Sequence, residues 1–223
     1  MDTYKNFISE IPTTAWDLYQ ILPEGTRCEV MDNELIFPEY PIERSKYKSI
    51  FPEIPSSALE LFHMLPEGTR CEVIANELIM SPSPTSLHQL ILSDLHALIY
   101  MHLKKADAGK IIPAPMDVYL DNESAILQPD LIVILKENEG LIKTDGVFGS
   151  PDIIIEILSK NRVYDTKRKR SLYEKVGVKE YFMIDPQNKE TTLVTLNSSG
   201  VYEQSYKATG IITSKLLACS LVF

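Results

Sequence analysis

The segment PDIIIEILS, residues 151–159, places one glutamate, Glu156, inside an otherwise apolar run. Continuous apolar runs of this length are typical of central β-strands that are covered on both faces. The run QPDLIVIL, residues 128–135, has the same character, so we expect both segments in one central sheet. An unpaired carboxylate in such a strand would cost several kcal/mol. Glu156 must therefore be paired with a cation, exposed at the end of its strand, or bound to a metal.

The helix that we expect after this strand turns one lysine towards the sheet. At about 100° per residue, five residues share its core-facing side: Asp165, Lys169, Leu172, Tyr173 and Val176. Lys169 is the only cation on that side, and Lys167 points away from it. We interpret Tyr173 as a packing residue. A plain Lys169–Glu156 ion pair remains open, but the geometry favours a lysine that works beside a metal-bound carboxylate.

Asp130 is the third member of the candidate site because it opens the strand that precedes the glutamate strand. It follows Pro129 directly. Pro-Asp by itself is common turn chemistry, and we interpret the similar Asp152 in SPDIII only in that way. The position of Asp130 at the mouth of a central strand distinguishes it.

Apolar spacing predicts the remaining elements of a mixed α/β or α+β domain with a central sheet. Helices are expected near residues 86–105 and 165–177, and strands near 111–120, 129–135, 152–158, 179–185, 191–196 and 201–206. His88 falls on the domain-facing side of the first of these helices. It is either a core or helix-start histidine or a catalytic one.

The N-terminal part of the chain contains an internal repeat. Residues 11–36 and 54–79 are identical at 17 of 26 positions at a constant offset of 43. Each copy predicts a short helix followed by a β-hairpin, so we interpret residues 1–53 as a duplicated extension and 54–223 as the main domain. Apolar residues of the first copy need burial on their own domain or on a second subunit, and we favour a homodimer. They are Trp16, Leu18, Tyr19, Ile21 and Leu22.

Composition, charge and cysteine spacing argue against a nucleic-acid coat protein and against a zinc site. The chain has 223 residues, 44% hydrophobic and 24% charged, with a net charge of −9, which argues against a general nucleic-acid coat protein. An enzyme needs only a local basic surface, and residues 160–170 hold six of the 22 lysines and arginines. Cys28, Cys71 and Cys219 lack the close spacing of a zinc site. With no basic-apolar leader and only short apolar runs, we expect a cytoplasmic protein without a membrane segment.

Five segments, in order, resemble the PD-(D/E)XK nuclease superfamily and, in more detail, its restriction endonuclease branch, the Uma-two family. The resemblance covers residues 54–223. The segments are EVIANELIMSPSPTSLHQ (72–89), QPDLIVIL (128–135), EILS (156–159), DTKRKRSLY (165–173) and GVKEYFMIDP (177–186). Two departures stand out. Leu158 occupies the lysine position of the superfamily's E-x-K spacing, so the lysine would come from the helix, and Asn76 replaces the turn glycine.

The resemblance implies a restriction-endonuclease-like fold, with a central mixed sheet flanked by helices, and hydrolysis of phosphodiester bonds in DNA. Asp130 and Glu156 would hold Mg²⁺ or Mn²⁺, while Lys169 would orient the attacking water or hydrogen-bond the phosphate. Glu77 resembles the family's hairpin glutamate and is a further candidate site residue. An equally good interpretation is that Glu77 is a solvated carboxylate at the end of its strand. His88 is also a candidate site residue.

Four basic residues are candidate phosphate contacts, although such residues commonly form a solvated face: Lys160, Arg162, Arg168 and Arg170. Two other functions stay open. One is a nucleic-acid-binding or scaffold module that keeps the fold without turnover, and the other is a nuclease that acts on RNA or structured DNA.

Overall fold

The computed structural model describes residues 14–21, 29–36, 55, 57–66, 68–81, 83–122, 124–159 and 164–223. The chain divides into two units, Met1–Ser81 and Pro82–Phe223. This division falls after the second repeat, whereas the sequence placed the boundary at 53/54, before it; the sequence boundary stays a prediction. Within the described ranges, none of the helices has the length and apolar content needed to cross a bilayer.

Among its described residues, the N-terminal unit has two helices, each followed by a hairpin. Their bounds are α1 (Ala15–Ile21), β1 (Glu29–Met31), β2 (Glu34–Ile36), α2 (Ala58–Met64), β3 (Cys71–Ile74) and β4 (Glu77–Met80). Both hairpin turns place two consecutive residues at positive φ, Asp32 and Asn33 in one and Ala75 and Asn76 in the other. Two consecutive residues at positive φ are typical of a type I′ turn. At the start of α2 the Ser57 hydroxyl accepts a hydrogen bond from the Glu60 amide at 3.2 Å.

The two hairpin turns contact each other through equivalent asparagines. Each side-chain amide donates to the main-chain carbonyl of the other, between Asn33 and Asn76. Within the single chain Trp16 is 57% exposed and Tyr19 is 38% exposed, and their rings stack with centroids 5.3 Å apart, so burial of these two side chains on a second subunit stays a prediction. The side chains of Leu18, Ile21 and Leu22 lie outside what is described. The homodimer stays a prediction.

A six-stranded mixed sheet forms the centre of the second unit, in the order β14-β13-β12-β11-β8-β5. Strands β11 and β12 are parallel and the other neighbours are antiparallel. Every residue of β8, β11 and β12 is buried, as the continuous apolar runs predicted. The bounds are β5 (Gly109–Pro113), β8 (Leu131–Leu135), β11 (Ile153–Ile157), β12 (Glu180–Ile184), β13 (Glu190–Leu196) and β14 (Tyr202–Thr209).

Four shorter strands of this unit pair with one another: β6 (Val118–Leu120), β7 (Ala125–Leu127), β9 (Ile142–Lys143) and β10 (Gly146–Phe148). Their order is β7-β6-β10-β9, with both parallel and antiparallel neighbours. A separate hairpin consists of β15 (Ile211–Ser214) and β16 (Cys219–Val222). The single strand predicted for 111–120 is wrong, because β5 and β6 belong to different sheets. Pro113 and Pro115 lie at the break, and a proline cannot donate to a strand ladder.

The long helix α3 (Ser86–Ala106) packs on the central sheet and agrees with the predicted helix at 86–105. Ile91, Leu95, Ile99 and Leu103 lie in the core with apolar residues of β5, β8 and β11. The Thr85 hydroxyl caps the helix by accepting from the main-chain amide of His88 at 3.3 Å. This cap fixes the first turn, from which the His88 side chain projects.

The helix expected at 165–177 begins as a π-helical segment, Tyr164–Lys169, and continues as α4 (Arg170–Val176). Gly177, at φ +88°, ends it. π-Helical segments are rare in proteins, and many of those that are known lie at functional sites. The change of helix type falls at Lys169.

Asp152 is a buried structural carboxylate rather than the simple turn residue suggested by the sequence. It is 2% exposed and accepts hydrogen bonds from the Leu135 amide at 2.8 Å, the Asn138 side chain at 2.8 Å and the Lys179 ammonium at 2.6 Å. Burial raises the pKa of the Asp152 carboxyl, but these donors outweigh burial and hold the pKa below its ordinary value.

We expect Asp152→Asn to lower the free energy of unfolding at pH 7 by about 1–3 kcal/mol. Because the folded-state pKa is lowered, the carboxylate's contribution is full above the unfolded pKa of about 4 and is lost as the pH falls through the folded value. Urea unfolding of both proteins at pH 7 and near pH 3 measures this, with Asp145→Asn at an exposed position as control. A difference as large at pH 3 as at pH 7 would contradict the charge-based explanation.

Candidate active site

Glu156 is buried on β11 and accepts two hydrogen bonds at one oxygen. The side chain is 4% exposed, and Oε1 lies 2.9 Å from the Lys169 ammonium and 2.9 Å from the Tyr173 hydroxyl. Of the alternatives that the sequence left open, the structure shows pairing with a cation and does not show exposure at the strand end. Both donors come from the helix that follows the strand.

The core-facing side of this helix is confirmed for Lys169, Leu172 and Tyr173, which are buried, whereas the side chain of Asp165 lies outside what is described. Lys169 is 5% exposed, whereas Lys167 is exposed. The prediction assumed regular α-helical spacing, and Lys169 still points inward although it ends the π-helical segment. A buried ammonium needs an anionic partner, and its separation from Glu156 is that of a charge-assisted hydrogen bond.

Asp130 lies beside Glu156 because of the antiparallel register of β8 and β11. Leu131 is paired with Ile155, so the residue before Leu131 falls next to Glu156. Asp130 Oδ2 accepts from the main-chain amide of Ile157 at 2.8 Å, and the Asp130 amide nitrogen lies 3.5 Å from Glu156 Oε2. The ends of two neighbouring strands thus bring the two carboxylates together.

His88 contacts the other oxygen of Asp130. Its Nε2 lies 3.0 Å from Asp130 Oδ1, and the two side chains are 13% and 14% exposed. In the tautomer that carries its proton on Nε2, the imidazole donates to this carboxylate oxygen. Asp130 is therefore held at both oxygens, by a main-chain amide on one side and an imidazole on the other.

The structure brings together four of the residues that the sequence singled out, His88, Asp130, Glu156 and Lys169, and adds the hydroxyl of Tyr173. The sequence placed Tyr173 on the same helical face as Lys169, four residues later. Its hydrogen bond to Glu156 was not predicted, because an aromatic residue on a core-facing side usually indicates packing. Arg168 and Arg170 flank Lys169 and are half-buried. Lys160 and Arg162 lie outside the described residues. Glu77 begins β4 in the N-terminal unit, and its role stays a prediction.

The donors at this site are those that a hard divalent cation prefers. Among the described residues, no group of three or more His, Cys, Asp or Glu side chains is arranged to hold a metal. A Mg²⁺ ion does not need such a group, because it keeps several waters and is commonly bound through one or two carboxylates and a substrate phosphate. Asp130 and Glu156 supply carboxylate oxygens, the type of donor that Mg²⁺ and Mn²⁺ take, and binding of a cation by this pair is a proposal.

Comparison with known proteins assigns the family. The profile of the Uma2 family, described as "Putative restriction endonuclease", matches residues 59–218. A solved structure, described as "a putative nuclease belonging to DUF820 from Anabaena variabilis", is similar in fold, with a TM-score of 0.61 and 20% identity over 75% of this chain and 95% of that chain. No curated protein matches. Because the family profile spans well over half of its length, the chain belongs to the Uma2 family.

Proposed function

We propose that this protein is a divalent-metal-dependent endonuclease that hydrolyses phosphodiester bonds in DNA. The observation that carries the proposal is the convergence of Asp130, Glu156 and Lys169 at the ends of two central strands and one helix. A buried carboxylate and ammonium, with the partly buried Asp130 carboxylate beside them, carry a large desolvation cost. Groups held in this way, at such a cost, are characteristic of functional sites.

Each residue has a distinct role in the proposed reaction. Asp130 and Glu156 would hold Mg²⁺ or Mn²⁺, and the cation would supply positive charge that activates water and offsets the charge growing on the scissile phosphate. Lys169 orients the attacking water or donates a hydrogen bond to the phosphate as its charge increases. His88 holds Asp130 through the contact at Oδ1.

The basic residues beside the site support a nucleic-acid substrate, and the choice of DNA follows the family's description as a restriction endonuclease. Arg168 and Arg170 lie on either side of Lys169, and the sequence adds Lys160 and Arg162 just before this helix. Arginines bind phosphate groups through charge-assisted hydrogen bonds and position the nucleic acid without reading its sequence. A local basic segment of this kind is compatible with an overall charge of −9.

A non-catalytic binding or scaffold module is the second candidate, and one observation favours it. Lys169 and Glu156 form a close, buried ion pair, and such a pair is also found as a purely structural feature. In that case the protein would bind nucleic acid and leave it intact. A nuclease acting on RNA or structured DNA would share the chemistry of the main proposal and differ only in its substrate.

Metal removal and replacement test the proposal. The full-length protein, freed of metal with EDTA, is incubated with supercoiled plasmid, single-stranded RNA and branched DNA, each with and without added Mg²⁺ or Mn²⁺. We expect nicked and linear plasmid only when metal is restored. Retarded but uncleaved DNA at all metal concentrations would favour the binding module, and cleavage of RNA or branched DNA alone would overturn the choice of substrate.

A further inference from the structure

The hydroxyl of Tyr173 has a role that packing of the ring does not explain. Its side chain is fully buried, yet its hydroxyl donates to Glu156 Oε1 at 2.9 Å. A phenylalanine would fill the same volume without the polar group. The hydroxyl is therefore matched to the carboxylate, which needs hydrogen-bond donors in this interior position.

The two donors to Oε1 differ in how firmly they can hold it. Lys169 reaches Glu156 at the end of a flexible four-carbon side chain, which neutralises charge but constrains orientation weakly. Tyr173 has two rotatable side-chain bonds, and its ring packs edge-to-face on Tyr181 with centroids 5.0 Å apart and planes at 71°. The phenol is thus the more rigid of the two donors.

Holding Oε1 fixes the direction of the other oxygen. Glu156 Oε2 accepts a long hydrogen bond, 3.5 Å, from the main-chain amide of Asp130, so this oxygen is directed towards the start of the neighbouring strand β8. A rotation of the carboxylate that released Oε1 from Tyr173 would also turn Oε2 away from Asp130. The orientation of Glu156 is therefore coupled to the Tyr173 hydroxyl.

We propose that Tyr173 is a positioning residue for Glu156: its hydroxyl holds Oε1 so that Oε2 is presented, together with Asp130, to a divalent cation. This inference rests on the proposed metal-dependent function. Hydrogen-bond partners of metal-ligating side chains orient their ligands, and removing one typically weakens metal affinity by about 10–100-fold. Tyr173 contributes through Glu156 and needs no contact with the cation or with substrate.

Tyr173→Phe tests the role, because the change keeps the ring and removes only the hydroxyl. Tyr202→Phe is a matched control: Tyr202 is also buried, and its hydroxyl donates to the Val178 main-chain carbonyl at 2.9 Å instead of to Glu156. Isothermal titration of the full-length proteins with Mn²⁺ alone gives the dissociation constant. The melting temperature without metal measures the structural cost of each change.

We expect Tyr173→Phe to raise the Mn²⁺ dissociation constant by about 10–100-fold and Tyr202→Phe to leave it within about twofold, even if both variants melt at lower temperature. Three results would overturn the positioning role alone. They are wild-type Mn²⁺ affinity in Tyr173→Phe, equally weakened affinity in both variants, and loss of the fold of Tyr173→Phe without metal. A wild-type protein that binds no Mn²⁺ would overturn the proposed metal-dependent function, and this inference with it.

Discussion

Lys169→Ala is expected to reduce cleavage of DNA by about 10²–10³-fold or more, while the protein continues to bind Mn²⁺. The lysine is the buried cation at the site, 2.9 Å from Glu156, and a lysine is not a metal ligand. Its removal therefore takes away a donor to the reacting phosphate and leaves both carboxylates in place. Plasmid cleavage rates and Mn²⁺ titration of the same preparation measure the two effects separately.

Lys167→Ala is the control for this experiment, since Lys167 lies on the same helical segment but is exposed. It should retain cleavage within about threefold, because an exposed lysine contributes at most one screened phosphate contact. Lys169→Gln serves as a second variant, since a shorter polar side chain keeps a hydrogen-bond donor near Glu156. If the variants at 169 and 167 cleave DNA equally well, the assignment of Lys169 is wrong.

Glu156→Gln is expected to abolish most of the stabilisation that Mn²⁺ gives to the folded protein. A ligand that binds only the native state at 100 times its dissociation constant stabilises it by about 2.7 kcal/mol. The amide keeps the volume of the carboxylate but has no charge to hold a hard cation. Melting temperatures with and without Mn²⁺ measure the shift, which should be large for the wild type and small for the variant.

Glu137→Gln is the matched control, because Glu137 is an exposed glutamate in the 3₁₀ helix that follows β8. It should respond to Mn²⁺ as the wild type does. Equal stabilisation of wild type, Glu137→Gln and Glu156→Gln would place the cation elsewhere and remove Glu156 from the site.

The elements that sequence predicted well are those with strong periodic or continuous apolar patterns. The runs LIVIL and IIIEI became β8 and β11, and the apolar stripe from Ile91 to Leu103 became the core face of α3. Strands of two or three residues, such as β9 and β10, were missed because so short a segment carries no period. Their pairing depends on neighbours that are distant in the chain.

Prediction of the site followed the same logic. Glu156 and Lys169 could be placed in one site from sequence because each is a charge within an apolar pattern, and their ion pair was one of the alternatives left open. The contact of His88 with Asp130 joins residues 42 positions apart and was not predicted; the sequence placed His88 on the domain-facing side of its helix and left its role open between two alternatives. The hydroxyl of Tyr173 and the buried donors around Asp152 were missed, since a tyrosine on a core stripe and a Pro-Asp turn each have an ordinary explanation that the sequence alone does not exclude.

The most direct test of the metal-dependent site is a crystal of the full-length protein soaked in Mn²⁺, with anomalous data collected near the manganese absorption edge. We expect an anomalous peak within coordination distance of the Asp130 and Glu156 carboxylates, with a water or phosphate oxygen completing the coordination. An anomalous peak bound elsewhere, or no peak between these two side chains at a Mn²⁺ concentration that raises the melting temperature, would contradict it.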